Sequence, residues 1–395
     1  PTRTVKTAVE NLVEIGALRM LSTQAASMVR DATVPNAGDP HSRPRRLRPL
    51  ALTALGYHLA HLPMDARLGK MLVFGSILQC LDPVLTVCAA LAYKSPFVKP
   101  FGKANAANAS SVLRDKFSYL GSDHLAIVKA YDEWEKVAAQ WRGGKAAVRH
   151  PRSEQERAGS RGAATALSER EFCSANFLSR DTLGMIRQLR DQFKQQLCEI
   201  GFISSGRGDG GSQGLAEAQQ PGAWDAHARN LELVRCVVCA GLYPHIAHSL
   251  RSPNGKGVRL VTRDREQVFV HPGSMNARLT SDYPPGVFVC FHTCVKTSLP
   301  FLHDSTIVGK YALLLFANQV KIALTRDAVL LDQWIKFKMP EHGAVLCKLL
   351  RKELEGLLVR KIQNPRLDLA KDHPAQLALD AVRRLLELDS HTVHL

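Results

Sequence analysis

The chain has 395 residues, of which 52 are Lys or Arg and 36 are Asp or Glu, so its formal net charge is +16. This length allows two to four domains with sizeable cores, and the charge makes a polyanion the expected partner, because basic side chains that neutralise phosphates release counterions. A basic chain could equally bind an acidic membrane surface or work in the crowded surroundings of the ribosome, so the net charge alone does not identify nucleic acid as the partner. Nine cysteines, an odd number in a large chain without a secretory signal, argue against a disulfide framework. They favour a reducing compartment, cytoplasmic or nuclear, with an organelle left open.

The N-terminal part is predicted to be helical on both sides of a basic loop. The chain starts at Pro1 rather than Met, from which we expect a part upstream, and residues 1–30 have the apolar spacing of an amphipathic helix. Residues 34–49 are rich in Pro and Arg and predict an expanded loop. Leucines then recur at three- and four-residue spacing up to Pro63, which predicts a short helix with Thr53 as its cap. These leucines are Leu52, Leu55, Leu59 and Leu62.

Residues 70–94 are apolar on nearly all faces and long enough to raise the question of a membrane span. Gln79, Asp82 and Pro83 interrupt this stretch near its middle. A charged residue within a span is costly, whereas Asp suits the cap of a helix and Pro suits its first turn. We therefore predict two buried helices joined at Asp82 and Pro83, with Asp82 as the cap of the second, and no membrane span.

The next region is helical but contains a break. Residues 122–125, Ser-Asp-His-Leu, open a helix that continues to Trp134. Residues 141–167 are rich in Gly, Ala and Arg without apolar periodicity, which predicts a flexible insertion. Helical apolar spacing resumes over residues 172–197, so the insertion is expected to interrupt one domain rather than to separate two. Residues 204–222 are rich in Gly, Ser and Gln and predict a linker.

From residue 231 onward the pattern changes to short β-type runs separated by Gly, Pro and Asn. Several short strands of this kind indicate a small barrel. The predicted strands cover residues 234–243, 255–261, 268–270, 287–290, 296–302 and 311–316. Leucines return to helical spacing between residues 346 and 388, which predicts a helical tail.

Several of these segments together carry a family resemblance. They are Leu52-Thr53 with Leu55-Gly56, Gly69-Lys70-Met71, Leu81-Asp82-Pro83, Ser95-Pro96-Phe97, Ser122-Asp123-His124-Leu125, and the runs at 234–247, 268–274, 291–308 and 312–316. In this order the chain resembles the helicase-associated region of the DEAH/RHA family of RNA helicases. The resemblance implies an α+β multidomain fold, with a winged-helix end and a helical ratchet bundle followed by a small OB-type β-barrel and a C-terminal helical tail.

The resemblance also implies domain boundaries. The implied units are a winged helix at 1–65 with the basic loop 34–49, a ratchet domain at 66–203 with an insertion at about 141–167, a linker at 204–230, an OB-fold domain at 231–345 and a C-terminal helical extension at 346–395.

The chain itself is predicted to hold no nucleotide or metal. Hydrolysis of ATP needs a Gly-rich loop ending in Lys-Ser/Thr and an acidic pair for magnesium, and the sequence has neither. We therefore expect no catalytic residue and no cofactor here, and ATP with Mg only in motor lobes that the resemblance places upstream. Four cysteines have the number needed for a zinc site, but they lie in strand-like apolar runs, so we predict buried thiols instead. They are Cys236, Cys239, Cys290 and Cys294.

Three groups of residues are candidates for RNA contact. A small barrel binds a single strand through a basic groove, hydroxyl donors and stacking groups. The OB-type resemblance therefore points to His292, Lys296, Thr297 and Ser298. The alternative for this group is a solvated edge strand. The second group is Asp123 and His124, because a helix N-terminus presents free amides that suit phosphate, although capping is the favoured role of Asp123. The third group is the basic loop, which is equally compatible with plain solvation. Its arginines are Arg43, Arg45, Arg46 and Arg48.

The chain departs from the family pattern at two positions. Thr293 stands where an acidic residue is usual, and His303 stands where Arg usually precedes Asp304. Loss of this Arg removes a fixed bidentate donor, which puts an ion pair or an RNA contact at that corner in question.

The resemblance implies that the chain is the RNA-binding C-terminal region of an ATP-dependent RNA helicase and forms one wall of its RNA channel. The intact protein would hydrolyse ATP, whereas this chain alone would bind RNA without hydrolysis. A motor-less accessory or architectural protein that binds RNA or the ribosome is the alternative. The expected partners are single-stranded or structured RNA, the upstream RecA-like lobes of the same protein, and either the ribosome or an activator protein docked on the OB-fold. No membrane partner is expected.

Overall fold

The computed structural model describes the chain in several stretches. They are residues 2–20, 50–98, 113, 116–119, 121–142, 168–203, 223–252, 257–277, 284–323, 328–369 and 371–393. The basic loop 34–49 with its four arginines, most of the predicted insertion and the linker residues 204–222 lie outside the described residues. What was predicted for them stays a prediction.

The described N-terminal part consists of two helices and a pair of short strands. They are α1 (Thr2–Ile15), β1 (Leu18–Met20), β2 (Leu50–Leu52) and α2 (Ala54–Ala60). Helix α1 ends well before the predicted residue 30, because Gly16 adopts a φ of 87°, which suits glycine and turns the chain into β1. The predicted cap of α2 is confirmed, since Thr53 Oγ1 accepts a hydrogen bond from Gly56 N at 2.9 Å.

Residues 66–92 form the two buried helices that were predicted, α3 (Ala66–Ile77) and α4 (Leu81–Ala92). The predicted cap of α4 is wrong, because Cys80 occupies the cap position and Asp82 lies in the first turn. The backbone N of Asp82 donates to Asp225 Oδ1 at 2.9 Å, and Arg190 Nη2 lies 2.6 Å from Asp82 Oδ1. Asp82 therefore links the start of α4 to residues that lie 143 and 108 positions away in the sequence. Among the described residues, no helix has the length and apolarity that crossing a bilayer requires.

Further helices pack around this pair. They are α5 (Asp123–Arg142), α6 (Glu169–Ala175), α7 (Arg180–Glu199) and α8 (Leu231–Leu242), with a 3₁₀ turn at Ala223–Asp225. Helices α5 and α6, which flank the predicted insertion, are joined by a hydrogen bond from Trp134 Nε1 to Glu169 Oε1 at 3.0 Å. Trp134 is 1% exposed, whereas Glu169 is half-buried, so this contact lies at the edge of the bundle interior.

The prediction of a strand over residues 234–243 is wrong, because this run forms α8. All residues of α8 from Leu233 to Leu242 are buried. A helix that is covered on every side needs no polar face, so its sequence shows neither the helical nor the strand period. The same holds for residues 311–316, which were predicted as a strand and lie in α9 (Lys310–Phe316), with Leu313 to Leu315 buried.

Five strands close into a barrel, which confirms the predicted barrel and, with the helical parts, the α+β fold. They are β3 (Ile246–Arg251), β4 (Val258–Val261), β5 (Gln267–Val270), β6 (Phe288–Lys296) and β7 (Pro300–Val308), in the order β3-β4-β5-β7-β6. Strands β5 and β7 run parallel, and the other neighbouring pairs are antiparallel. The buried barrel core is Ala247, Leu260, Val268, Val289, Phe291, Leu302 and Ile307. The strand predicted over residues 296–302 is wrong in its middle, because the chain reverses at residues 297–299, whereas Lys296 ends β6 and residues 300–302 begin β7.

The C-terminal part begins with a small sheet that was not predicted. Its strands, in the order β10-β9-β8, are β8 (Val320–Ala323), β9 (Ala328–Leu331) and β10 (Ile335–Lys338). Helices α10 (Glu341–Gln363) and α11 (His373–Val393) follow and confirm the helical tail, with the break at Pro365.

Candidate nucleic-acid interface

The start of α5 is hydrogen-bonded to barrel strand β7. Ser122 Oγ accepts from Leu125 N at 3.0 Å, so Ser122 supplies the cap of α5, a role that had been favoured for Asp123. The same hydroxyl lies 2.7 Å from Thr306 Oγ1, and Ile307 N donates to Gly121 O at 2.9 Å. These bonds fix the N-terminus of α5 on the barrel wall.

The carboxylate of Asp123 is the most heavily bonded group at this junction. Its Oδ2 accepts from Ser274 Oγ at 2.7 Å, from Ser305 N at 2.7 Å and from Ser305 Oγ at 3.1 Å, while its Oδ1 accepts from Met275 N at 2.6 Å. Burial raises the pKa of Asp123 above its usual range, and these hydrogen bonds oppose that rise. With both oxygens occupied and the side chain buried, Asp123 joins helix to barrel and is not presented to solvent.

His124 lies beside it and is also buried. Its Nδ1 is 2.6 Å from Thr306 Oγ1, whereas its Nε2 has no hydrogen-bond partner among the described residues. Burial, and then the proximity of His292, lowers the pKa of His124 to about 3, so the ring is neutral near pH 7. A neutral, enclosed imidazole cannot attract a phosphate by charge.

His292 lies on β6 in a group of histidines at the same junction. Burial lowers its pKa, and its Nδ1 is enclosed without a partner in the described part of the chain. Next to it, His245 Nδ1 lies 3.1 Å from both Arg67 Nη1 and the backbone oxygen of His292, and its ring stacks on Phe291 at 5.1 Å between centroids. Burial and then the Arg67 charge lower the pKa of His245 to about 4.

The turn between β6 and β7 carries the remaining candidates into solvent. Every residue from Thr293 to Leu299 is exposed. Lys296 Nζ lies 3.2 Å from Glu266 Oε1, and both side chains are at least half exposed, so this ion pair contributes little stability and leaves the ammonium accessible. The turn is closed by Thr297 N, which donates to Leu299 O at 3.1 Å.

The predicted site residues therefore fall into two places. The structure brings Asp123, His124 and His292 together inside the helix–barrel junction. Lys296, Thr297 and Ser298 lie at the exposed end of the β6–β7 hairpin, which we call the hairpin tip (residues 293–299). Sequence reasoning missed the partners of the junction, which are Arg67, His245, Ser274, Ser305 and Thr306. Only a contact pattern between distant segments would have indicated them, because they lie up to 182 residues from Asp123 or His124.

The cysteines of the considered zinc site do not converge. The prediction of buried thiols is confirmed for Cys236, Cys239 and Cys290 and is wrong for Cys294, which is exposed at the hairpin tip. Burial raises the pKa of Cys290 well above its usual range, which disfavours the thiolate that a metal requires. No group of three or more His, Cys, Asp or Glu side chains with metal-binding geometry exists among the described residues.

Three family models match the chain in the order of its structural units. Residues 65–127 match the helicase-associated domain HA2, described as ratchet-like. Residues 234–320 match an oligonucleotide/oligosaccharide-binding fold, and residues 327–388 match the C-terminal domain in RNA helicases. The third match covers β9 and β10 of the unpredicted sheet as well as α10 and most of α11.

Similar proteins are helicases of one group. The ATP-dependent DNA/RNA helicase DHX36 of Mus musculus is 35% identical over 319 residues, which cover 80% of this chain and 28% of that protein. The DExH-box ATP-dependent RNA helicase DExH1 of Arabidopsis thaliana is 33% identical over 344 residues, 86% of this chain and 30% of that protein. The ATP-dependent RNA helicase DHX29 of Mus musculus is 27% identical over 336 residues, 84% of this chain and 22% of that protein.

The chain thus spans less than a third of the length of these relatives. Its ratchet-like helices, its closed five-stranded barrel and its C-terminal helices occur in the order that the three family models define. The chain belongs to the DEAH/RHA family of RNA helicases and represents the C-terminal helicase-associated region of that family.

Proposed function

We propose that this chain is the RNA-binding part of an ATP-dependent DEAH/RHA helicase and forms one wall of its RNA channel. The observation that carries the proposal is the junction at Asp123, which holds the start of α5 rigidly against β7. The exposed hairpin tip belongs to the same strand pair, so its position relative to the helical bundle is fixed. A preformed surface binds a flexible strand with less loss of entropy than a mobile loop would.

The hairpin tip supplies groups that suit a sugar-phosphate backbone. Lys296 offers an exposed ammonium, and Thr297 and Ser298 offer exposed hydroxyl groups. Side chains of these types commonly contact phosphate and position a strand without reading its sequence. The net charge of +16 adds a long-range attraction for a polyanion.

The test is the salt dependence of RNA binding by wild type and two matched lysine variants. Lys296→Gln removes a tip ammonium, and Lys371→Gln removes an equally exposed ammonium that pairs with Asp368 at 3.5 Å in the C-terminal part. With a fluorescent single-stranded RNA, we expect affinity to fall steeply with salt. Lys296→Gln should reduce the slope of log K against log salt by about 0.7, the value for one phosphate contact on a single strand.

Lys371→Gln should leave that slope unchanged. Equal slopes for all three proteins would show that Lys296 at the hairpin tip does not contact an RNA phosphate. Wild-type affinity that does not respond to salt would refute the RNA channel and favour a docking surface for a protein.

ATP hydrolysis is proposed only for a longer protein that also carries the two motor lobes. In such a protein, RNA should stimulate the ATPase activity, and Lys296→Gln should raise the RNA concentration needed for half-maximal stimulation without changing the rate at saturating RNA. A well-folded protein with both lobes and no RNA-stimulated ATPase activity would contradict the assignment.

A further inference from the structure

A groove lies between the outer strand of the C-terminal sheet and helix α10. Strand β8 stands at one end of the order β10-β9-β8, so no described strand pairs with its second edge. The groove has a volume of about 1020 Å³ and contacts β8 at Val320, Lys321 and Ile322. Successive side chains of a strand point to opposite faces, so a groove that contacts three consecutive residues runs along the edge of the strand.

The backbone of β8 has hydrogen-bonding groups on this free edge. Just before the strand, Gln319 O accepts from Asp332 N at 3.0 Å and so faces β9. Backbone groups alternate in direction along a strand, so those of Lys321 also face β9, whereas those of Val320 and Ile322 face the free edge. Backbone groups on an open edge are a template for a further strand.

The opposite wall of the groove, on α10, is both apolar and basic. Val345 and Leu349 line it four residues apart and are 40% and 55% exposed. Lys348 and Lys352 line it beside them and are also exposed. Like charges four residues apart weaken a helix, so this lysine pair opposes the local stability of α10. A carboxylate bound between the two ammonium groups would remove that repulsion.

The groove has an excess of positive charge. Lys321 adds a third exposed ammonium from the strand side, and none of the three lysines forms an ion pair with a described residue. Glu355 is the only acidic residue in the described lining of the groove, and Arg351 Nε lies 2.6 Å from its Oε1. Because Arg351 neutralises Glu355, the charge that remains is that of the three lysines.

Charge, size and chemistry together select the occupant. The volume exceeds the usual range for a small molecule, about 300–1,000 Å³. A second copy of the chain would bring a net charge of +16 and the same basic edge, which is unfavourable. RNA would match the charge, but the described lining contains aliphatic side chains and no aromatic ring on which bases could stack. An extended acidic peptide matches the lysines, the aliphatic wall and the open strand edge at once.

We infer that this groove is a docking site for an acidic, extended peptide of a partner protein, which adds a fourth strand to the sheet along β8. Its carboxylates pair with the three lysines, and its aliphatic side chains pack on Val345 and Leu349. Binding there does not require RNA binding by the chain, because the groove shares no residue with the hairpin tip.

The experiment measures the binding of fluorescent synthetic peptides to the whole chain by anisotropy. The probe is a peptide in which Glu and Val alternate, and a Lys-Val peptide of the same length is its charge-reversed control. Leu349→Ser removes an apolar contact of the groove, and Leu377→Ser on α11, at a leucine that is 57% exposed, is the matched control variant. Both leucines are more than half exposed, so neither substitution should unfold the protein. We expect Leu349→Ser to raise the Kd of the Glu-Val peptide by about tenfold and Leu377→Ser to leave it unchanged.

Charge and strand pairing have separate readouts. Lys352→Gln should raise the Kd about threefold, whereas Lys371→Gln, at an exposed lysine that does not line the groove, should not change it. The Lys-Val peptide should not bind. Hydrogen exchange at the amides of Val320 and Ile322 should become slower when the Glu-Val peptide is added, because an added strand supplies acceptors for these two groups.

Several other results would refute the docking site. Failure of wild type to bind the Glu-Val peptide would do so directly, and unchanged exchange at both amides would exclude strand addition. If single-stranded RNA displaces the peptide and Leu349→Ser weakens RNA binding by the same factor, the groove takes nucleic acid instead. If wild type is a dimer that Leu349→Ser dissociates, the occupant is a second copy of the chain.

Discussion

Replacing Asp123 by Asn should loosen the contact between the helical bundle and the barrel. In the isosteric amide, one oxygen can still accept from Ser274 and Ser305, but the NH₂ group then faces Met275 N, which is itself a donor at 2.6 Å in the native contact. One buried amide without an acceptor costs about 1–3 kcal/mol, and bonds to a neutral oxygen are about half as strong as bonds to a carboxylate. Removing a buried charge recovers part of this loss. We expect a net destabilisation of about 2–3 kcal/mol.

The control is Asp181→Asn. Asp181 also lies in the first turn of a helix, α7, but it is exposed, so it shares the favourable interaction with the helix dipole and lacks the buried bonds. Its replacement should cost about 0.5 kcal/mol or less. Urea unfolding gives the free energies, and hydrogen exchange should show faster exchange of the Ser305 and Met275 amides in Asp123→Asn only. Equal losses in the two variants, or unchanged exchange at both amides, would refute the role assigned to Asp123.

Three further outcomes are expected. Burial, together with the neighbouring carboxylate of Asp82, raises the pKa of Asp225 to about 7 from 3.8. Between these two pH values the folded chain holds a proton that the unfolded chain has released, so the free energy of unfolding should fall as pH rises from about 4 to 7. Urea titrations should show a smaller fall for Asp225→Asn. An added Cβ at Gly241 would lie 2.7 Å from Met71 Cβ, whereas one at Gly184 would meet nothing within 4 Å. In thermal unfolding, Gly241→Ala should therefore destabilise the protein by about 1–3 kcal/mol, and Gly184→Ala should stabilise it by about 0.5–1 kcal/mol. Burial lowers the pKa of Lys70 to about 8 from 10.5. Between these pH values the unfolded chain keeps a proton that the folded chain has lost, so the free energy of unfolding should rise from pH 8 to 10.5. Lys70→Met should remove this rise and be more stable than wild type at pH 7, and a lower stability of the variant at pH 7 would contradict the burial cost assigned to Lys70.

The elements that could be predicted are those whose causes lie close together in the sequence. The cap at Thr53 depends on an amide three residues away, and the two helices joined near Asp82 follow from a local break in an apolar run. The sequence of residues 234–243 carried no such information, because α8 is buried on all sides and has no polar face to reveal its period. The closed barrel itself was predicted, although the runs that form α8 and α9 were assigned to it as strands.

The candidate site likewise has one part that could be predicted from the sequence and one part that could not. The hairpin-tip residues Lys296, Thr297 and Ser298 could be proposed because the OB-type resemblance pointed to them. The burial of Asp123 and His124 could not, since it depends on Ser274, Ser305 and Thr306, which reach the start of α5 only after the barrel has closed. The position of Asp123 and His124 at a helix N-terminus therefore suggested an exposed anion site. Tertiary contacts instead bury both residues between the helix and the barrel.

The two departures from the family pattern gain a common explanation from the register of the barrel. Thr293 and His303 are direct partners across β6 and β7. An acidic residue and Arg at these positions would face each other as an ion pair, and losing one of them would leave a charge without its partner. In this chain both are replaced by uncharged or weakly basic groups, so neither charge is left behind, and His303 instead lies 4.4 Å from His271. The corner of this chain therefore holds a contact between two imidazole rings beside Asp304, whose pKa burial and the Asp123 charge raise to about 6.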